Sequence, residues 1–373
     1  MRVAIVTESF LPQVNGVTNS VLQVLRHLER EGHEALVLAP GDPPRRVHGA
    51  RVVPLRSVPL PGYTQFRLGV PTARAIAKEL EAFGPDVVHL ASPFTTGNAA
   101  VRAAGRLGLP VVAVYQTDVA GFAQRYGFAG AGEATWRWVR SIHDQADRTL
   151  APSGVASADL ERHGVDRVHL WRRGVDTHAF SPRHRDGRLH RRLAPRGEVL
   201  VGFVGRLAAE KQVQDLRRVD ALDGVRLVVV GDGPERDALR SALPRAAFLG
   251  QLTGPALSRA VATLDIAVQT GPYETFCQSA QEAMASAVPV IAVGAGGVAE
   301  LVEPSRTGWL YPPGDLDELH ARVLDLAGDT VKRQAMGRAA LDTVRSRTWP
   351  VVCEQLLDHY EAAIAHRAAA LRA

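Results

Sequence analysis

Short runs rich in Val, Ile and Leu recur along this chain, with helical spacing in the stretches between them. In the first half they are Val3–Thr7, Glu34–Ala39, Arg51–Leu55, Val87–Ala91, Val111–Tyr115, Thr149–Ala151 and Val168–Trp171. The pattern restarts with Val199–Val204, Arg226–Val230, Ala247–Leu249, Ile266–Gln269 and Val290–Val293. Runs that are apolar throughout, rather than at every second position, suit strands covered on both faces. A parallel sheet between two layers of helices provides that cover. A first helix is predicted where Val17, Val21, Val24, Leu25 and Leu28 recur at helical spacing, with Gly32 ending it. Further helices are expected over Leu68–Phe83, Gln278–Ser286 and Trp349–Ala373.

Between the two series lies Pro182–Gly197, charged, broken by Pro and Gly, and without apolar periodicity beyond two leucines. With 373 residues there is chain enough for two cores. The expected organisation is a Rossmann-like domain over 1–181, a basic linker over 182–198 and a second Rossmann-like domain over 199–348. A terminal helix over 349–373 completes it.

Composition narrows the class. Two cysteines, Cys277 and Cys353, exclude a disulfide framework. Every apolar run is far shorter than the ~18 residues of a membrane span. The N-terminal residues Met1–Glu8 run into a strand without a leader-like apolar core. A soluble, cytoplasmic protein is expected. The net charge of +5 is unevenly placed. Residues 1–181 carry 20 basic and 16 acidic side chains, 182–199 carry 6 and 2, and the remainder 18 and 21. A basic face suits an anionic membrane or a phosphorylated ligand. No nucleic-acid-binding motif accompanies it, so no nucleic-acid partner is expected. Only Lys78, Lys211 and Lys332 are lysines, which makes a lysine inside a motif notable.

Three motifs can carry chemistry. The first strand runs into Asn15-Gly16 at the start of a helix, where a glycine admits a ligand close to the backbone and free N–H groups favour an anion. The second is Gly205-Arg206-Leu207-Ala208-Ala209-Glu210-Lys211, directly after the strand that opens the second half. Arg206 and Lys211 are suited to clamp a diphosphate, one as a planar fork and one as a mobile point charge. The third is Glu274-Thr275-Phe276-Cys277-Gln278-Ser279-Ala280-Gln281-Glu282, across the start of a helix. Backbone N–H groups around Phe276–Gln278 would face a phosphate, with the two carboxylates accepting from sugar hydroxyls on either side. Gly294-Ala295-Gly296-Gly297 reads as a tight turn rather than a dinucleotide fingerprint, and the thirteen histidines show no metal-type spacing.

Taken together these motifs resemble retaining glycosyltransferase family 4, of GT-B fold, with two Rossmann-like domains facing a central cleft. The wording is most similar to actinobacterial GDP-mannose-dependent α-mannosyltransferases acting on glycolipids. It extends to Arg173-Gly174-Val175-Asp176-Thr177 and to Tyr115-Gln116-Thr117-Asp118-Val119. The resemblance implies that Asn15, Gly16, Gly205, Arg206, Lys211, Glu274, Thr275, Phe276, Cys277, Gln278 and Glu282 bind the donor. Within that set Arg206 and Lys211 neutralise the leaving diphosphate, Glu282 holds ribose and Glu274 holds the transferred sugar. Gln116, Thr117 and Asp118 belong to the acceptor side. Arg206, Lys211, Asp118 and Glu274 are the expected catalytic set, with no metal and no cofactor beyond the nucleotide-sugar.

The acceptor implied is a glycolipid or phosphoinositide-type hydroxyl, reached at an anionic membrane surface. Alternatives are another donor, UDP-glucose or UDP-GlcNAc, serving a small natural product, and an inactive nucleotide-sugar-binding protein. Many members of the family carry histidine where this chain has Gln116, and glutamine cannot shuttle a proton. Front-face substitution, with the donor's own phosphate oxygen taking the acceptor proton, does not need one. His89 is expected in the core or on a wall, and Cys277 as a small residue at a helix entry rather than a nucleophile.

Overall fold

A computed structural model describes residues 1–60, 63–118 and 131–372. The chain forms two compact units, Met1–Arg173 with Trp349–Ala373, and Gly174–Thr348.

The first unit is built on an eight-stranded sheet. Its order is Val168–Leu170, Arg148–Ala151, Val111–Val114, Val87–Ala91, Arg2–Thr7, Glu34–Pro40, Ala50–Leu55 and Arg46–Val47. All neighbours are parallel except the last, short pair. Alternate residues of Arg2–Thr7 enter different cores. Val3 and Ile5 pack with Val21, Val24, Leu25 and Leu28 of helix Gly16–Arg30 and with Leu356 and Tyr360 of helix Trp349–Ala370. Ala4 and Val6 pack with Ile76 and Leu80 of helix Ala73–Phe83 and with the alanines of helix Thr95–Arg106. Both faces are covered, as continuous apolar runs require. The C-terminal helix is fastened to this unit by Trp171 Nε1 donating to the Val352 carbonyl (2.9 Å) and by the Tyr360 hydroxyl against His89 Nδ1 (2.7 Å).

The second unit holds a six-stranded sheet in the order Ala247–Gly250, Val225–Val230, Val199–Val204, Ile266–Gln269, Val290–Val293, Gly308–Tyr311, all parallel. Each sheet has one point where successive strands change direction of growth. In the first unit it is beside Arg2–Thr7, and in the second it lies between Val199–Val204 and Ile266–Gln269. Parallel sheets open a crevice for ligands at such a point, beyond the carboxyl ends of the strands.

Three sequence expectations are corrected. The stretch 182–198 is no free linker but part of the second unit, as a turn of 3-10 helix, Pro182–His184, and helix Gly187–Leu193. Arg185 and His190 both pair with Asp265, at 2.6 and 2.8 Å, which docks the stretch on the second unit. The second unit therefore carries 22 basic and 21 acidic residues and is not acidic, while the first carries 22 and 18. Helix Ala73–Phe83 starts five residues later than expected, because Leu68 belongs to a strand, Tyr63–Gly69, paired antiparallel with Ser57–Leu60. The edge strand Gly308–Tyr311 is not among the runs read from the sequence.

Candidate active site

In the second unit, Gly205–Lys211 leaves the end of strand Val199–Val204 at the point of strand reversal. Its course is set by a glycine pair absent from the sequence expectation. A Cβ on Gly231 would lie 1.8 Å from the Gly205 carbonyl oxygen, and one on Gly233 would lie 2.2 Å from that of Leu207. Only glycine lets the 231–233 turn run that close, and the Leu207 N–H then donates to the Asp232 carbonyl (2.9 Å). Gly-Asp-Gly after a strand was the available signal. The far end, Ala209–Lys211, is a 3-10 turn held by the Thr270 hydroxyl on the Lys211 carbonyl (2.6 Å).

This docking brings two predicted residues together. Lys211 Nζ donates to Glu274 Oε1, and Arg206 pairs with the buried Glu210, a partner the sequence did not single out. Burial by itself would lower the Lys211 pKa, but Glu274, with help from Glu210, holds it above the usual lysine value. The ammonium stays charged.

The Glu274 loop rests on the turn at Gly294–Gly297. Gly297 N–H donates to the Glu274 carbonyl (2.6 Å), and a Cβ at Gly297 would meet the Thr275 carbonyl oxygen at 2.3 Å. The glycines are thus a seat for the loop, not a nucleotide fingerprint. Phe276 is buried and anchors the loop, with Thr275 half-buried beside it. Cys277 takes a left-handed conformation (φ 75°) as the residue before helix Gln278–Ala285. Its thiol, buried and close to Glu274, is pushed up to about 12, which rules out a thiolate nucleophile. Gln278 Nε2 donates to the Gly174 carbonyl (3.0 Å), and Glu282 sits half-buried in the second turn of the helix.

In the first unit, Asn15 caps helix Gly16–Arg30. Its Oδ1 accepts from Thr18 N–H (3.0 Å) and its Nδ2 donates to Ser9 Oγ (2.7 Å), so the side chain shapes the turn. Gly16 is not open at its Cα. Arg173 Nη1 would stand 2.9 Å from a Cβ there, and Arg173 Nη2 donates both to the Gly16 carbonyl (2.9 Å) and to Gln116 Oε1. Thr117 is exposed and accepts from Ser92 Oγ (2.8 Å). Asp118 accepts from the Tyr115 hydroxyl at 3.5 Å, and Val119 of that motif lies outside the described residues. His89 is buried, its pKa lowered to about 3 by desolvation, and acts as a core residue.

A model described as Glycosyltransferase Family 4 matches residues 14–179, and one described as Glycosyl transferases group 1 matches 198–329. The GDP-mannose-dependent alpha-mannosyltransferase of Mycolicibacterium smegmatis is 52% identical, over 98% of this chain and 99% of its own length. The chain belongs to glycosyltransferase family 4. Another family 4 relative, the GDP-mannose-dependent alpha-mannosyltransferase of Corynebacterium glutamicum, is 43% identical over 98% of this chain and 90% of its own. Among solved structures, sucrose-phosphate synthase from Thermosynechococcus elongatus aligns with a TM-score of 0.82 at 20% identity, covering 98% and 99% of the two chains. Anabaena Alr3699/HepE in complex with UDP gives 0.79 at 19%, covering 97% and 100%. The fold is GT-B.

Two further features of this family 4 chain bear on its chemistry. Among the described residues, no helix is long and apolar enough to cross a membrane. Among the described residues one group of metal-type side chains lies together, His27, Glu31 and Glu354, which sequence spacing did not reveal. Arg30 Nη2 stands 2.9 Å from His27 Nδ1. A guanidinium only donates, so the neutral imidazole carries its proton on Nε2, the atom facing Glu354 at 3.2 Å. As arranged, that nitrogen has no lone pair for a metal.

Proposed function

We propose that this glycosyltransferase moves mannose from GDP-mannose to a hydroxyl of a glycolipid or phosphoinositide-type acceptor, with retention of configuration. The observation that carries the reading is the Lys211–Glu274 pair beside Arg206, at the strand-reversal point of the second unit. It offers two cations for a diphosphate and a carboxylate for sugar hydroxyls. The nature of the donor is supported by the relatives at 52% and 43% identity, both named for GDP-mannose.

In this reading Arg206 and Lys211 take up the charge that develops on the leaving diphosphate, the work a divalent ion does in other transferases. Released from Lys211 as the phosphate arrives, Glu274 accepts from hydroxyls of the transferred sugar, and Glu282 from the ribose. Front-face substitution breaks the bond between C1 and phosphate oxygen and forms the bond from C1 to the acceptor oxygen on the same side. The departing phosphate oxygen takes the acceptor proton. Gln116 is compatible with this because no side-chain base is called for; Thr117 and Asp118 orient the acceptor. Enzyme dialysed against EDTA should keep its turnover.

The acceptor is reached at a cytoplasmic, anionic membrane surface through the first unit, with its excess of positive charge. Transfer of labelled mannose from GDP-mannose to an extracted lipid fraction, with analysis of the anomeric product, tests the whole reading. A thermal-shift series with GDP, UDP and ADP tests the base, because only the matching nucleotide stabilises strongly at limiting concentration. Stabilisation by UDP alone would transfer the reading to a UDP-sugar. Binding of a donor without transfer or hydrolysis would make the chain a nucleotide-sugar-binding protein.

A further inference from the structure

Arg173 is 6% exposed, and two oxygens accept from its Nη2: the Gly16 carbonyl, at the turn after the first strand, and Gln116 Oε1, after strand Val111–Val114. The next residue, Gly174, presents its carbonyl to Gln278 Nε2 (3.0 Å), at the first position of the helix that carries Glu282. Within the first unit, Arg173 therefore holds two loops to which the sequence assigned ligand contacts. We propose that Arg173 is a positioning residue for sugar transfer, acting through the Gly16 turn and the Gln116 amide. This rests on the transferase reading above.

Three arguments carry it. First, the guanidinium fixes which end of Gln116 is which. Oε1 accepts from Arg173, so the amide oxygen faces the guanidinium and the N–H donors of Nε2 lie on the other side. Second, Arg173 Nη1 stands 2.9 Å from where a Cβ at position 16 would lie, so the bare Cα of Gly16 lets the guanidinium sit against the turn. Third, the pair is electrostatically matched. An imidazolium at position 116 would face a permanent cation, whereas the glutamine carbonyl oxygen is a good acceptor for one. Arg173 thereby accounts for glutamine where many family members have histidine. Its charge does not titrate, so it sets this arrangement independently of pH.

The experiment compares R173A, R173K and Q116H with the unaltered enzyme, reading kcat and KM separately together with the GDP-induced thermal shift. R173A should lose about 10²-fold in kcat while keeping the GDP shift, since the diphosphate clamp is in the second unit. R173K should recover only part, because one ammonium cannot serve both oxygens as the fork does. Added guanidinium, at concentrations below those that unfold the protein, should raise the turnover of R173A and not that of R173K. Q116H should lose activity, and the double variant Q116H/R173A should lose less than the two single losses multiplied, as expected for coupled residues.

A kcat for R173A within about threefold of the parent overturns the proposal. So does a loss that tracks a fall in folding stability and in the GDP shift, without guanidinium rescue. If the parent enzyme transfers nothing from GDP-mannose but turns over another nucleotide-sugar, the donor reading falls and the same comparison runs with that donor. If no donor is turned over, the transferase reading fails and the proposal with it.

Discussion

Lys211 donates to Glu274 across 63 residues of sequence. Beside it Arg206 is paired with Glu210. Both cations are thus held in place by carboxylates, at little net charge. Under the proposed function an incoming diphosphate would exchange partners with these carboxylates, which limits the entropy cost of binding.

From that arrangement, replacing either cation removes a contact whose value rises as the diphosphate departs. R206A and K211A should each lower kcat by about 10²–10³, with far-ultraviolet circular dichroism unchanged. Steady-state transfer assays decide this, and near-normal turnover in both variants would sink the clamp assignment.

The glycine seat under the Glu274 loop leads to a second expectation. G297A puts a methyl 2.3 Å from the Thr275 carbonyl oxygen, backbone that cannot swing aside. It should cost about 1–3 kcal/mol of stability and displace the loop, with activity falling further than stability alone explains. G328A, at the end of helix Leu316–Gly328 with nothing within 4 Å of its Cβ, serves as control. It should be neutral or slightly stabilising. Equal melting temperatures and turnover for G297A and the control would disprove the seat.

Cys277 combines a left-handed backbone with a buried thiol whose pKa lies near 12. Native enzyme should react slowly with thiol reagents at this position and faster once unfolded. C277S should keep turnover within about threefold, while C277V, β-branched at positive φ, should lose stability. Rapid modification of Cys277 in the native protein, mapped by peptide mass analysis, would contradict the assigned environment.

Two buried histidines set the acid limit of the first unit. Desolvation lowers His89 to about 3 and His143 to about 4, below the value of about 6.5 for free imidazole. Both are neutral when folded, so their contribution is fully present above about pH 6.5. It is lost as the pH falls from there toward the folded values, because the unfolded chain takes up protons the folded one does not. Each costs up to about 1.4 kcal/mol per pH unit in that window. Urea midpoints measured between pH 7.5 and 4.5 should therefore fall, and H89Q should fall less steeply. A slope indifferent to H89Q would remove His89 from the account.

How much of this was legible beforehand depends on how local the cause is. The strand runs and helix Gly16–Arg30 follow from spacing along the chain, because burial on one face or two leaves a periodic trace in the sequence. Lys211 and Glu274 were each marked out by residue type and position. That they touch was decided by Gly231, Gly233, Gly296 and Gly297, which admit backbone where a side chain would stand. Pro182–Gly197 looked like a linker because charge and Pro read as solvent exposure. Arg185 and His190 in fact pair with Asp265, a partner 75 to 80 residues away. Arg173 lay in a recognised motif without a role, since only strand order brings it to Gly16 and Gln116. The sequence by itself determined two parallel α/β units and the residue types in their loops. The tertiary structure alone decided which loops meet, because a contact between distant segments depends on strand order and on the space a missing side chain leaves, and neither is periodic along the chain.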